Sequence, residues 1–500
     1  MAYDFVFLQP NLFEMIRWFI VVVLLLINSH AQSQETPGKT FGGWDNDVGL
    51  TICQASDGGF LIAGTTRSFG AGSNDIYLVR IDKNGTVIWT RTIGWKHQDA
   101  IRSVIAVDDG FILAGDVWDY GFYRLDIYMM KVDNYGYVVW DQFYGTNSSD
   151  LGFKVIPSDD NGYLILGHST GIEPRGDLLL IKTDHDGNQE WSQNYGSEYD
   201  DYGFDLVQQD NGSILMIGSK GGFFETVHAN FKNHDADIYV IKSDKNGNEQ
   251  WQKTFGGNEH DFGQAISISG DGGFFLFGSS QSYGAGSFDM TLIKTNPEFD
   301  EVWRKTYGGL EYEYGMSMDK NAHDDLFLFG TTKSFGLNES ADFYLIKTDN
   351  TGEEIWNLII GGNETELGHQ VIATADSGCI VIGQTNSFGE GGFDFLLTKI
   401  DKNGLIEYFI NGIDTTFEGE LLVYPNPVRG YGKVKFKSTS QPKNYRMELI
   451  LLNGSVRSLF TIYPPDYDFN TINLSQGFYI YRIISEETSE IIFAGKLVVH

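Results

Sequence analysis

Five hundred residues, 41% apolar and 14% aromatic, supply a large core and point to more than one domain. Sixty-seven acidic against thirty-five basic side chains leave a net charge of -32, which opposes phosphate backbones and anionic membrane surfaces and argues against a nucleic-acid partner. Two cysteines provide no disulfide framework, so stability must come from packing.

The N-terminus reads as a signal peptide over residues 1–31. Arg17 supplies the positive start, Trp18 to Ile27 the apolar run, and Ser29-His30-Ala31 a small-x-small cleavage site. The apolar run is about half the ~20 residues a spanning helix needs, so the mature chain is expected to carry no transmembrane anchor. Met15 stands where such a peptide begins and is a candidate true start.

Residues 32–412 are organised by repetition. The unit opening at Gly42 reads GGWDNDVGLTICQASDGGFLIAGTTRSFGAGSNDIYLVRIDKNGTVIWTRTI, and equivalent glycines open units at Gly94, Gly145, Gly196, Gly256, Gly308 and Gly361. Each unit holds four short strand signals, and an Asp-x-x-Gly turn such as Asp82 to Gly85 joins the third to the fourth. Four antiparallel strands per ~50-residue unit is a propeller blade, so the expectation is an all-β protein with a seven-bladed β-propeller. Trp89, Trp140, Trp191, Trp251, Trp303 and Trp356 recur in the fourth strand, with Tyr408 in the seventh unit. Spread over separate blades they cannot form one site, so they are read as blade-to-blade packing. The Asp-x-x-Gly, Trp and Gly-Gly combination resembles the repeat of quinoprotein-like propellers. That likeness implies the fold and a tryptophan docked on the next blade, and it assigns no quinone.

Two carboxylate sets recur. Asp47, Asp99, Asp150, Asp201, Asp261, Glu313 and Glu366 precede the first strand, and Asp75, Asp126, Asp177, Asp237, Asp289, Asp342 and Asp394 precede the third. Both sets fall on one face, where oxygen ligands suit calcium, and the first set is the candidate metal group; the structural alternative is that each carboxylate accepts hydrogen bonds from its own loop. No other cofactor is expected. Asp184 to Gly187 is better explained as a turn than as a calcium loop.

Phe69, Tyr283, Phe335 and Phe388 recur between strands two and three and are read as loop anchors. The second unit instead presents Trp118, Tyr120, Phe122 and Tyr123. The fourth inserts Phe223, Phe224, His228, Phe231 and His234. These loops break the repeat where blade geometry does not ask for it, and they are the candidate ligand-binding residues, with sugar stacking the sharpest expectation. Cys53 and Cys379, in the first and last units, are a candidate ring-locking disulfide. GxSxG, HExxH, phosphate-loop and CxxC signatures are absent, so a binding or adhesion module for glycan or protein is favoured. The alternative is a polysaccharide hydrolase or lyase with acidic residues near the channel.

Beyond a linker at 413–420 the composition shifts, with nine acidic and nine basic residues from Asp414 on and five of the ten prolines. Residues 421–500 carry short strand signals of a small immunoglobulin-like β-sandwich. Tyr424-Pro425-Asn426-Pro427, Leu452-Asn453-Gly454, Ile472 to Tyr479 including Gly477, and Gly495-Lys496-Leu497-Val498-Val499 resemble the C-terminal sorting domain of type IX (Por) secretion substrates of Bacteroidetes. The resemblance implies passage through the periplasm to the outer surface or beyond, with the secretion machinery as partner.

Overall fold

A computed structural model describes residues 36–119, 124–170, 176–222 and 236–407, and from the C-terminal region residues 421–429, 431–436, 445–450, 456–462, 466–470, 474, 477–485 and 491–499. Two units separate between Gly412 and Ile413.

In the first unit each repeat becomes one antiparallel sheet whose strands lie in chain order. The first comprises Asp47–Gln54, Phe60–Thr66, Asp75–Ile81 and Val87–Ile93. Five further sheets follow the same plan, and a seventh is built on Glu366–Ala373, Cys379–Thr385 and Asp394–Ile400. Strand burial follows position in the sheet. The third strand is buried at every residue in Asp75–Ile81, because its two faces meet two neighbouring sheets, whereas the fourth, Val87–Ile93, has partly or fully exposed residues throughout. The described residues are all-β and propeller-like, without an α-helix.

Apolar clusters bridge successive sheets. Leu61 and Leu78 of the first pack with Ile101 and Leu113 of the second. Ile52 and Ile62 of the first also pack with Ile380, Ile382 and Phe395 of the seventh, so first and last sheets are neighbours. The recurrent tryptophans dock across these interfaces. A Cβ on Gly136, Gly187, Gly247 or Gly352 would lie within 2.8 Å of the ring of Trp89, Trp140, Trp191 or Trp303 on the preceding sheet. Those four turn glycines also have positive φ, so side chains are excluded on two grounds. In the fifth sheet Phe299 takes the glycine's place at φ 62° and packs against Trp251 at 4.8 Å between centroids.

The seventh sheet departs from the sequence reading, which began the repeats at Gly42 and took the seventh fourth strand from its own unit. Among the described residues of that strand Ile406–Glu407 pairs there; Tyr408 lies outside the described residues. The remaining edge is filled from the other end of the chain by Lys39–Phe41, with Lys39 opposite Leu397 and Phe41 opposite Phe395. Lys39-Thr40-Phe41-Gly42-Gly43 repeats Lys253-Thr254-Phe255-Gly256-Gly257, the end of another fourth strand. Lys39 Nζ also donates to the Gly85 carbonyl at 2.5 Å in the first sheet, as Lys253 does to the Phe299 carbonyl at 2.6 Å.

In the second unit Val456–Ile462, Tyr445–Ile450, Gly477–Ser485 and Ile491–Val499 pair in that order. Leu421–Arg429, Tyr431–Phe436 and Asp466–Asn470 form a second group, joined to the first where Val428 pairs with Val499. Val434 and Phe469 of one group share a core with Met447, Leu449, Tyr479 and Leu497 of the other.

Candidate functional site

The acidic rim is made by local chemistry. Each first-set carboxylate accepts from the backbone N–H four residues earlier: Gly43 to Asp47 at 2.7 Å, Trp95 to Asp99 at 2.7 Å, Thr146 to Asp150 at 2.5 Å, Ser197 to Asp201 at 2.6 Å, Gly257 to Asp261 at 2.8 Å, Gly309 to Glu313 at 2.7 Å and Gly362 to Glu366 at 2.7 Å. Loop hydroxyls add to these, as Thr385 does to Glu366 at 2.6 Å and Ser68 to Asp47 at 2.7 Å. All seven side chains are buried. Among the described residues no group of three or more His, Cys, Asp or Glu is arranged to hold a metal ion. A calcium ion on these oxygens would have to displace N–H donors already in place.

The second set meets the first across sheet boundaries. Five repeat-opening glycines lie between two carboxylates: Gly42 between Asp394 and Asp47, Gly94 between Asp75 and Asp99, Gly256 between Asp237 and Asp261, Gly308 between Asp289 and Glu313, and Gly361 between Asp342 and Glu366. A Cβ on Gly308 would stand 1.9 Å from Asp289 Oδ1 and 2.4 Å from Glu313 Oε2. Glycine opens the repeat because an acid pair occupies the space a side chain would need. Burial, together with the neighbouring carboxylate, pushes Asp99, Asp177 and Asp394 up to about 6, and Asp342 beside Glu366 to about 7.

Three residues along the same first strands the pattern reverses. A β-bulge interrupts the ladder of every inner strand, between Gly49/Thr51, Ile101/Ser103, Gly152/Lys154, Gly203/Asp205, Gly263/Ala265, Gly315/Ser317 and Gly368/Gln370. A bulge leaves one residue unpaired and re-aims its side chain. The seven residues so freed are Leu50, Arg102, Phe153, Phe204, Gln264, Met316 and His369, and all line one cavity of about 650 Å³ in the middle of the sheets. That volume suits a small ligand.

Residues following the bulges tie the cavity wall together. Ser103 accepts from the Val155 N–H at 3.1 Å, Asp205 from Ile266 at 3.0 Å, Ser317 from Val371 at 3.3 Å and Gln370 from Ile52 at 2.7 Å, each on the next sheet. The last of these links joins the seventh sheet to the first. Lys154 pairs with Asp205 at 3.0 Å and faces Asp319; burial works against its charge, but the two carboxylates outweigh it and hold it protonated. Asp319 accepts from the Ala373 N–H at 2.8 Å, and burial raises its carboxyl. Asp205 and Asp319, the acids nearest the cavity, are therefore engaged by the wall itself. Arg102 donates Nε to the buried Asp116 at 2.6 Å and lies over the Phe153 ring at 5.6 Å; Phe153 meets Phe204 edge-on at 5.1 Å. His369 is hemmed in by protein, and burial followed by the Arg102 charge pushes it down to about 4, so the imidazole is neutral.

Of the sequence-predicted ligand residues, Tyr120, Phe122, Tyr123, Phe223, Phe224, His228, Phe231 and His234 lie outside the described residues. Trp118 is described, and it packs beside His97 at 5.8 Å rather than lining the cavity. The recurrent loop aromatics are anchored, Phe69 against Tyr77 at 5.3 Å and Phe335 against Tyr344 at 5.5 Å. Asp184 is a turn residue, accepting from the Asp186 and Asn188 N–H groups at 2.9 and 2.8 Å. The candidate disulfide is absent: both cysteines are free, because Cys53 packs toward the second sheet and Cys379 toward the sixth. Burial pushes the Cys53 thiol up to about 12 and Cys379 further.

In the second unit Tyr424, Pro425, Asn426 and Pro427 lie on Leu421–Arg429, Gly477 and Tyr479 on Gly477–Ser485, and Gly495, Lys496, Leu497, Val498 and Val499 on Ile491–Val499. Gly477 pairs with Val499 and Tyr479 with Leu497, while the antiparallel ladder lapses from Pro425 to Val428. Two prolines without N–H donors account for that interruption.

The channel ring was missed in the sequence, although a signal was present. The third residue after the constant acid differs across most repeats, while the residue before it is glycine in six of the seven.

No protein-family model matches the chain, and no curated protein matches it at a significant level. Among solved structures, puromycin hydrolase aligns over 94% of this chain and 63% of its own length at 10% identity and a TM-score of 0.48. The extracellular domain of a hybrid two-component system from B. thetaiotaomicron aligns over 91% of this chain and 57% of its own at 13% identity and a TM-score of 0.37. Sqt1 from Chaetomium thermophilum aligns over 74% and 85% at 12% identity and a TM-score of 0.42. The chain thus spans less than two thirds of the first two, and these likenesses carry no activity across.

Proposed function

We propose that this chain is an exported seven-bladed β-propeller followed by a C-terminal sandwich that directs it through type IX secretion to the cell surface or medium. There the propeller acts as a non-enzymatic binding module for glycan. The observation that supports a binding role is the central cavity, onto which a bulge in each of seven strands presents a largely different side chain three residues after a constant acid. Aromatic faces beside polar groups in a space of about 650 Å³ match what a sugar residue asks of a pocket. The supports for the route are the signal-peptide pattern and the four ordered C-terminal motifs. None of the described residues forms a helix long and apolar enough to cross a membrane.

Two experiments test the two halves. A glycan array probed with the full chain should give hits that weaken at least tenfold in Phe204→Ala, with folding intact; retained binding moves the site off the channel. Deleting residues 421–500 should leave the protein in the periplasm, and normal secretion of the deletion contradicts the route.

A further inference from the structure

We infer that the channel takes an uncharged, hydroxyl-rich ligand, a neutral glycan rather than an acidic one, and that a ligand hydroxyl completes the hydrogen bonding of His369. This inference rests on the glycan-binding reading above and narrows it. Three observations carry it.

First, the cavity wall keeps its charges to itself. The charged side chains that line it are Arg102, Lys154, Asp205 and Asp319, two cations and two carboxylates in a chain with 67 acidic and 35 basic residues. All four are engaged by protein. Arg102 donates to Asp116 at 2.6 Å, and Lys154 pairs with Asp205 at 3.0 Å and faces Asp319. Asp205 accepts from the Ile266 N–H at 3.0 Å, and Asp319 from the Ala373 and Lys320 N–H groups, both at 2.8 Å. A charged ligand would have to break one of these contacts or enter without a counter-charge, and either is costly away from water.

Second, six of the seven residues that the bulges place on the cavity are uncharged. Leu50, Phe153, Phe204 and Met316 are apolar, Gln264 is an amide, and His369 is neutral because burial and then the Arg102 charge oppose its protonation. Apolar surface with a few neutral hydrogen-bonding groups suits a sugar, whose ring faces are apolar and whose rim is hydroxylated.

Third, His369 meets the Gln384 side chain, yet its buried Nε2 has no hydrogen-bond partner among the described residues. A hydroxyl both donates and accepts, so it satisfies this nitrogen in either tautomer of the neutral ring, whereas a carboxylate can only accept. The residue lines the cavity, so a turn of the ring brings Nε2 to a ligand with the backbone in place. An unpaired buried polar atom is unfavourable, and the ligand that pairs it gains affinity from the relief.

The test is a glycan array carrying neutral, uronate-bearing and sulfated glycans, probed with the full chain as wild-type protein, His369→Phe and His369→Gln, at about 0.15 M and about 1 M salt. The higher salt cuts the screening length to about 3 Å and removes the long-range repulsion that a net charge of -32 exerts on any anion. Phenylalanine keeps a flat ring and loses both nitrogens, glutamine restores a donor and an acceptor, and melting curves check that both variants fold. The wild-type comparison stands whether or not they do. The inference expects hits among neutral glycans at both salts, with uronate-bearing and sulfated glycans at least tenfold weaker. It also expects at least tenfold loss of the neutral hits in His369→Phe and recovery in His369→Gln. Acidic glycans that bind as tightly as neutral ones at about 1 M salt overturn the neutral-ligand inference and leave glycan binding standing. Neutral hits unmoved by a folded His369→Phe overturn the part given to His369 and leave the glycan reading to the Phe204→Ala test. An empty array overturns both readings.

Discussion

The acid that starts each inner strand and the bulge residue three positions later share one backbone, yet they follow opposite rules. The acid is Asp or Glu in all seven sheets, buried, and satisfied by the same N–H four residues back. The bulge residue is Leu, Arg, Phe, Phe, Gln, Met or His, and faces a cavity. The difference teaches that a position constant across the sheets marks a contact every sheet needs, while a position the ladder skips is free to vary in side chain without breaking the pairing.

The largest effect is expected from removing the closing strand. Deleting residues 36–41 takes away three backbone pairings with Leu396 and its neighbours and the buried Phe41 side chain. A fully buried Phe alone contributes about 2–3 kcal/mol. The truncated protein should unfold with a broadened, less cooperative transition, and an unchanged melting curve would show that the first and seventh sheets hold without it. Next is Gly308→Ala, whose methyl would collide with Asp289 and Glu313. A cost of about 2–4 kcal/mol is expected by overpacking, partly relieved by adding Asp289→Ala, and chemical denaturation reads both. A cost under about 0.5 kcal/mol would mean that the acid pair is not what reserves the glycine.

The smallest effect is on pH dependence, where the two faces of the sheets work in opposite senses. Asp99, Asp177, Asp342 and Asp394 have folded values above their unfolded one, so the native state holds more protons and stability falls as pH rises from about 4 to about 7. At the opposite turns, Lys294 and the Gly273 N–H hold Asp271 at about 2, and Lys182 holds Asp160 at about 2 against the upward push of burial. Those groups release stability as pH falls from about 4 to about 2. His369, held low, works against the first trend between about 4 and 6.5 but is a single group. Melting temperature should therefore peak near pH 4 to 5, and Asp342→Asn should raise stability at pH 8 by on the order of 1 kcal/mol and leave it unchanged at pH 4. A variant that melts lower at pH 8 would show the ionised carboxylate to be stabilising.

What the sequence made legible was local. Asp82 to Gly85 announces its turn because the four residues carry their own hydrogen bonds, and the tryptophan spacing follows from it. Both acid sets were legible one residue at a time, but not as pairs, because Asp394 meets Asp47 only when the ring closes. The closing strand was hidden by its shortness: Lys-Thr-Phe before Gly42 has no strand beginning of its own and looks like a linker until it is set beside Lys253-Thr254-Phe255. Arg102 was hidden because a bulge is a property of pairing between strands, and within DAIRSVIAV nothing marks the residue that the ladder skips. The unusual loops of the second and fourth units drew attention because they break the repeat in length, whereas the channel breaks it only in side chain.

Saturation mutagenesis of the full chain, scored by protease resistance at each of fourteen positions, tests the division most directly. The expected result is intolerance at Asp47, Asp99, Asp150, Asp201, Asp261, Glu313 and Glu366, and broad tolerance at Leu50, Phe153, Phe204, Gln264, Met316 and His369. Arg102 should tolerate little beyond lysine, because the buried Asp116 would be left unpaired. Equal intolerance at both sets would contradict the account, since the bulge positions would then be part of what closes the ring.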